Sequence, residues 1–154
     1  MQNSSFTKPV LLNEVQLSYK RNHELTFNKI SSSQSANECI RKFFPIDQIC
    51  YREHMYVLYL DNSNNVLGYH LLSIGGITGT LVDIRVLMQG ALLTNAIGLI
   101  LFHNHPSNNK NPSFSDKKLT EKIILSAETL DLKVLDHLII TENDYYSFAD
   151  NGDL

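Results

Sequence analysis

The sequence predicts a mixed α/β or α+β domain, because segments with strand character and segments with helix character alternate along a chain of 154 residues. Two runs of branched and aromatic residues flank the polar turn Asp61–Asn65, which is typical of a hairpin. Apolar positions recur at helical spacing in later segments, and a short, wholly apolar run lies between two of them. With 43% hydrophobic residues, a chain of this length can build one real core.

The amino-terminal part is predicted as an extension, residues 1–30, in which the alternating pattern of residues 11–30 suits a half-buried strand. The serine-rich stretch Ser31–Ser35 is either a linker or the cap of the helix that follows. Cys39, Ile40 and the phenylalanines near Pro45 have helical spacing, so a short amphipathic helix is predicted over Ala36–Phe44.

The predicted domain proper covers residues 31–154 and continues with strands, helices and one long polar loop. Strand length and apolar content predict strands over Met55–Leu60, Val66–Ile74, Ile97–Phe102, Val134–Thr141 and Tyr145–Phe148. Helical spacing predicts helices over Asp83–Asn95 and Phe114–Leu130, whereas the glycine-rich Gly75–Thr80 and the polar His103–Pro112 are predicted to be irregular.

Composition excludes several classes of protein. The formal charge of −3 and the pI of about 6.0 argue against a protein whose main task is to neutralise phosphates. No apolar run approaches the roughly 18 to 20 residues that span a bilayer, and the start has no signal-peptide pattern, so we expect a cytoplasmic protein with no membrane partner. Cys39 and Cys50 form no CxxC pair and are expected to be reduced, structural thiols.

A candidate metal site lies where the apolar run Ile97–Phe102 ends. His103 and His105 are two positions apart on an extended chain, so both imidazoles point to one side. Asp116 follows at the start of a predicted helix and supplies a third ligand, which leaves the open tetrahedral position of a catalytic zinc ion. Taken alone, the histidines are open to an incidental interpretation, and Ser113 with Asp116 also forms a helix capping box.

The joint pattern resembles the JAMM motif of the MPN/JAB metalloproteases and, more narrowly, their RadC-like branch. The resemblance covers roughly residues 30–150 and is carried by His103-Asn104-His105-Pro106-Ser107, Pro112-Ser113-x-x-Asp116, Leu135-Asp136-His137-Leu138-Ile139 and Tyr146-Ser147-Phe148. It implies a curved mixed β-sheet flanked by helices, of the JAB/MPN (cytidine deaminase-like) type. It also implies one Zn²⁺ ion and hydrolysis of a peptide or isopeptide amide in a peptide or protein substrate.

The resemblance assigns two catalytic residues beyond the three metal ligands. Glu53, just before the predicted strand Met55–Leu60, matches the family's upstream glutamate and would act as general base, although a solvated glutamate opening a strand is the alternative. Ser113 matches the motif serine, which would face the developing oxyanion or orient the water. Asp136 and His137 are expected either to support the ligands or to form a buried, satisfied pair.

Two departures from the family pattern have consequences. RadC-like sequences commonly have glycine after Ser107, so Asn108 is expected in the left-handed backbone region that asparagine tolerates. The first 50 residues lack the helix-hairpin-helix module of larger members, so direct nucleic-acid binding is not expected. Two other functions remain open, a catalytically silent binding or scaffold domain and a DNA-repair accessory protein; the oligomeric state stays unknown.

Overall fold

The computed structural model describes residues 18–20, 29–75 and 81–154, and its regular structure is a mixed sheet with helices on both faces. The strands are β1 (His54–Leu60), β2 (Val66–Ile74), β3 (Gly98–Asn104), β4 (Lys133–Ile140) and β5 (Tyr145–Ser147). The helices are α1 (Ser33–Arg41), α2 (Ile84–Thr94), α3 (Phe114–Glu128) and α4 (Phe148–Asn151), with one 3₁₀ turn at Ile46–Gln48. The predicted α/β class is therefore confirmed.

The sheet has the strand order β2-β1-β3-β4-β5, in which β3 and β4 are parallel and the other neighbours are antiparallel. Both β1 and β3 are buried along their whole length. A strand in the middle of a sheet that is covered on both faces needs apolar residues at every position, which explains the unbroken apolar runs in the sequence.

The alternation of side chains along β3 divides the core into two clusters. Ile100 and Phe102 point toward α1, where they pack with residues such as Ile40. Leu99 and Leu101 point to the opposite face and pack with residues of α2 and α3. Because successive side chains on a strand change face, His103 continues the α3 side and Asn104 continues the α1 side.

The first helix begins earlier than predicted, and the cap interpretation of the serine stretch is confirmed. Ser32 is the N-cap of α1, and its hydroxyl and that of Ser35 form a reciprocal capping box. The predicted span Ala36–Phe44 is wrong at both ends, because this cap fixes the start and α1 ends at Arg41. Predicted strand residues within 11–30 fall almost entirely outside the described residues.

The predicted loop His103–Pro112 is wrong at its first two positions, since β3 extends to Asn104. Polar residues continue the strand here because both side chains find buried partners, which a hydrophobic pattern does not reveal. The short helix α4 was not predicted; the end of the predicted strand Tyr145–Phe148 belongs to it. Within the described part of the chain, no helix is long and apolar enough to cross a membrane.

Candidate metal centre

Strand β3 and helix α3 bring together the three predicted ligands. His103 is the penultimate residue of β3, His105 follows the strand, and Asp116 lies in the first turn of α3. The Nε2 atoms of the two histidines are 3.0 Å apart. The carboxylate oxygens of Asp116 lie 3.4 Å from His103 Nε2 and 3.5 Å from His105 Nε2. Three potential ligand atoms from residues 103–116 thus lie within 4.8 Å of one another.

The two histidine–carboxylate distances fit a tetrahedral ion, and the Nε2–Nε2 distance is shorter than this fit requires by about 0.3 Å. With metal–ligand distances of about 2.0 to 2.2 Å, neighbouring ligands of such an ion lie about 3.3 to 3.6 Å apart. The ring orientation of His105 agrees with this fit. Its Nδ1 lies 2.6 Å from the carbonyl oxygen of Asn109, which can only accept a hydrogen bond, so Nδ1 donates. When this ring is neutral, its unprotonated Nε2 points toward the same place as the Asp116 carboxylate, so these atoms together present lone pairs to a cation.

Asp116 combines helix capping with its position in the triad. Oδ2 accepts a hydrogen bond from the Ser113 amide at 2.6 Å, while the Ser113 hydroxyl accepts one from the Asp116 amide at 3.1 Å. Burial opposes ionisation of this carboxyl, but its interactions with the imidazoles of His103 and His105 and with Ser113 outweigh that effect and hold its pKa far below the ordinary value. The capping box is confirmed, and it leaves the carboxylate ionised beside both histidines.

Glu53 precedes β1 and shares the electrostatic environment of the triad. The antiparallel register pairs Met55 with His103, so continuing it past the strand end brings Glu53 level with His105. Burial raises the pKa of the Glu53 carboxyl; the charges of His103 and His105 lower it, and that of Asp116 raises it. The side chain is half-buried beside the ligands, which disagrees with a purely solvated glutamate.

Asn104 holds the segment that carries Glu53, and sequence reasoning missed this role. Its Oδ1 accepts a hydrogen bond from the His54 amide at 2.7 Å. Its Nδ2 donates to the carbonyl oxygens of Ile49 and Arg52 at 2.8 and 2.7 Å. The residue is fully buried, and these bonds occupy both polar ends of its amide. The position between two histidines was a usable signal, because strand alternation turns its side chain away from theirs.

The remaining predicted positions divide between contact with the triad and contact elsewhere. His137 Nε2 lies 2.8 Å from His103 Nδ1, and burial lowers the pKa of His137 well below its ordinary value, with the charge of His103 acting the same way. Asp136 faces away: its carboxylate accepts from the Ser147 hydroxyl and the Ala149 amide and so anchors α4. Only His137 of this pair contacts a predicted ligand in the described structure.

The loop between the two parts of the motif has the predicted backbone. Asn108 has φ 59°, the left-handed conformation expected for it. Its side chain bonds the Glu142 amide and carboxylate, which ties the loop to the β4–β5 turn. Ser113 is the exposed N-cap of α3, and its hydroxyl accepts from the Asp116 amide. Cys39 and Cys50 are free; Cys39 is buried, as expected of a structural thiol, whereas Cys50 is exposed.

Comparison with known proteins identifies the family of this chain. A family model described as RadC-like JAB domain matches residues 30–153. The chain belongs to the RadC-like JAB domain family. A UPF0758 protein of Flavobacterium johnsoniae is 49% identical over 128 residues, which cover 83% of this chain and 55% of that protein. The UPF0758 protein YkfG of Escherichia coli is 43% identical over 101 residues, 66% of this chain and 64% of its own length.

A more distant relative has a similar extent. The UPF0758 protein of Methanococcoides burtonii is 35% identical over 119 residues, which cover 77% of this chain and 52% of that protein. The chain therefore spans about half the length of most of these relatives. The names of these relatives state no activity.

Proposed function

We propose that this RadC-like domain is a zinc-dependent metallohydrolase that cleaves a peptide or isopeptide amide in a peptide or protein substrate. The observation that carries the proposal is the convergence of two imidazole Nε2 atoms and one carboxylate at 3.0 to 3.5 Å, with a second carboxyl beside them. His103, His105 and Asp116 would hold the ion. Glu53 would remain free to move protons.

The ligand set favours zinc among biological metals. Imidazole nitrogen and carboxylate oxygen are ordinary zinc ligands, and three protein ligands leave the open position that distinguishes catalytic from structural sites. A bound zinc ion supplies Lewis-acid chemistry, because it polarises a carbonyl and lowers the pKa of water to about 7. His103 and Asp116 are buried, so little solvent reaches these two side chains and electrostatic interactions between them are strong.

Glu53 would act as the general base. Burial raises the pKa of its carboxyl toward the working pH, as a proton acceptor that must later release its proton requires. In amide hydrolysis it would take a proton from the attacking water and pass it to the leaving amine. Ser113 would face the developing oxyanion. Its oxygen accepts the capping bond from the Asp116 amide, so its single hydrogen stays available to donate to the oxyanion.

The experiment compares wild type with Glu53→Gln and uses Glu38→Gln as a matched control. Glu38 is a carboxylate on α1 that accepts a hydrogen bond from Gln34 and touches no ligand. Zinc content is measured by elemental analysis. Cleavage of a proteome-derived peptide library and of a peptide with a lysine isopeptide bond is followed by mass spectrometry. We expect one zinc ion in all three proteins and a fall of about 10² to 10⁴-fold in cleavage for Glu53→Gln alone.

Other outcomes would contradict the proposal in distinct ways. Full cleavage with full zinc in Glu53→Gln would show that another group is the base. One zinc ion with no cleavage by wild type would favour the binding or scaffold domain. Duplex DNA binding whose affinity falls steeply with salt, without cleavage of either peptide probe, would favour the DNA-repair alternative.

A further inference from the structure

We propose that Thr120 and His137 are positioning residues that form a hydrogen-bond relay to His103. The relay would determine which ring nitrogen of His103 carries its proton and would keep Nε2 free for the metal ion. The proposal rests on the metal-binding part of the proposed function and concerns residues outside the ligand set. Neither Thr120 nor His137 faces the point where the three ligand atoms converge.

The relay begins at a backbone carbonyl of α3. The Thr120 hydroxyl lies 2.7 Å from the carbonyl oxygen of Asp116, which can only accept, so the single hydroxyl hydrogen is donated there. The same oxygen lies 2.7 Å from His137 Nδ1. Because the hydroxyl hydrogen is already committed, the hydrogen between these two atoms must come from His137. His137 is therefore protonated at Nδ1.

The proton on His137 Nδ1 decides the state of His103. His137 is fully buried, and a neutral imidazole has one protonated and one unprotonated nitrogen. Its Nε2 is then an acceptor, and the atom 2.8 Å away is His103 Nδ1. His103 must donate from Nδ1, which leaves its Nε2 unprotonated and directed toward His105 and Asp116. Each step follows from the number of hydrogens available.

The relay also links the ligands mechanically. Thr120 lies one helical turn after Asp116, so both side chains project from the same side of α3. One helix thus supplies a metal ligand directly and fixes a second ligand through His137 on the neighbouring strand β4. Without the hydroxyl, His137 Nδ1 has no acceptor for its hydrogen. No hydrogen bond then favours the His137 tautomer whose Nε2 accepts from His103 Nδ1. Loss of such a partner typically weakens metal binding by about 10 to 100-fold.

The first test reads the tautomers directly in metal-free protein. Long-range ¹H–¹⁵N NMR of ¹⁵N-histidine-labelled wild type, at a pH well above the ordinary histidine pKa, should show His103 and His137 each protonated at Nδ1. No substrate and no metal are needed. A wild-type spectrum with the proton of His137 on Nε2 would overturn the proposal, whatever the stability of any variant.

The second test measures the zinc dissociation constant by chelator competition in three variants. Thr120→Val is nearly isosteric and removes the hydroxyl, whereas Thr120→Ser retains it. Thr94→Val is the matched control, because Thr94 makes the same hydroxyl bond to a preceding carbonyl in α2, with no histidine attached. We expect the constant to rise about 10 to 100-fold in Thr120→Val, to return near wild type in Thr120→Ser and to be unchanged in Thr94→Val.

The outcomes separate this proposal from the proposed function. Unchanged zinc affinity and unchanged tautomers in a folded Thr120→Val protein would overturn the relay and leave hydrolysis open. The predicted tautomers with absent peptide cleavage would contradict the hydrolase and leave the relay in place. Equal weakening in Thr120→Ser and Thr120→Val would show that packing at this position matters and that the hydroxyl does not.

Discussion

The two sides of strand β3 at its carboxyl end are built in different ways. On the α3 side, His103 and Asp116 lie on a strand and a helix, within regular hydrogen-bonded structure. On the α1 side, the side chain of Asn104 makes three hydrogen bonds to the irregular segment that precedes β1 and carries Glu53. The candidate ligands therefore depend on secondary structure, whereas the segment of the proposed base depends on the side-chain amide of Asn104, which bonds His54 from 50 residues away in sequence.

The largest expected effect is on the ligand side. His103→Ala/His105→Ala should lose stoichiometric zinc, because only Asp116 of the three converging ligands remains. Elemental analysis after dialysis measures the zinc. Retention of one tightly bound ion in this double variant would show that the ligands are assigned wrongly.

The two single variants should differ in stability. His103 does not lie in the predicted loop but on β3, where it is 2% exposed. His103→Ala leaves His137 Nε2 without its partner and should cost roughly 1 to 3 kcal/mol of unfolding free energy. His105→Ala should cost less, because its ring is partly exposed. Urea unfolding of the metal-free proteins measures the difference, and equal stability losses would contradict the burial argument.

The same division explains what sequence could predict. Apolar runs and helical spacing predicted the five strands and the longer helices of the described residues, and the alternation of His103 and His105 with the spacing to Asp116 predicted the candidate metal cluster. Short-range periodicity carries both kinds of information. The four-residue helix α4 is too short for a period, and its anchor is the distant Asp136.

The contacts around the triad were harder to predict. Asn104 and Thr120 act through partners far away in the chain, which no local pattern encodes. Thr120 had one readable signal, its four-residue spacing from Asp116 on a helix. Such spacing places two side chains on one face, but it does not reveal that His137 completes the contact.

Asn104→Ala should reproduce the Glu53→Gln phenotype. Loss of the amide frees the Ile49–Glu53 segment, so peptide cleavage should fall by about 10 to 10³-fold, as misplacement of a catalytic group does, while zinc content stays at one ion. Asn65→Ala is the matched control, since the Asn65 amide bonds Asp61 in the β1–β2 turn. Hydrogen exchange should rise in the Ile49–Glu53 segment alone.

A double variant makes this comparison sharper. If Asn104 acts through Glu53, Asn104→Ala should reduce cleavage little further in a Glu53→Gln background, because the base is already lost. Additive losses in the double variant would instead indicate that Asn104 supports the ligand side of β3 as well.

Zinc affinity should fall as the pH falls. Burial lowers the pKa of His105, but bonds to Asp116 and the Asn109 carbonyl, with the charges of Asp116 and Glu53, outweigh it and raise this pKa above its ordinary value. Below that pKa the metal-free site holds a proton that zinc must displace, so affinity should drop by up to about tenfold per pH unit. Above that pKa, His105 has already lost this proton before zinc binds, so its titration no longer changes the zinc affinity. Chelator competition across the pH range measures the slope, and a flat profile through the histidine range would contradict the assignment of His105.

The smallest expected effect separates the two roles of Asp116. Asp116→Ala removes the bond from the Ser113 amide and should lower the unfolding free energy of the metal-free protein by about 0.5 to 2 kcal/mol. Asp116→Asn keeps an oxygen for that bond and should lose less stability, although its neutral amide is a poor zinc ligand. Both variants should therefore bind zinc weakly while differing in stability. Asp83→Ala is the control, because Asp83 caps α2 and its loss should affect stability alone. Unchanged zinc affinity in Asp116→Asn, with the helix intact, would show that Asp116 is a capping residue and not a ligand.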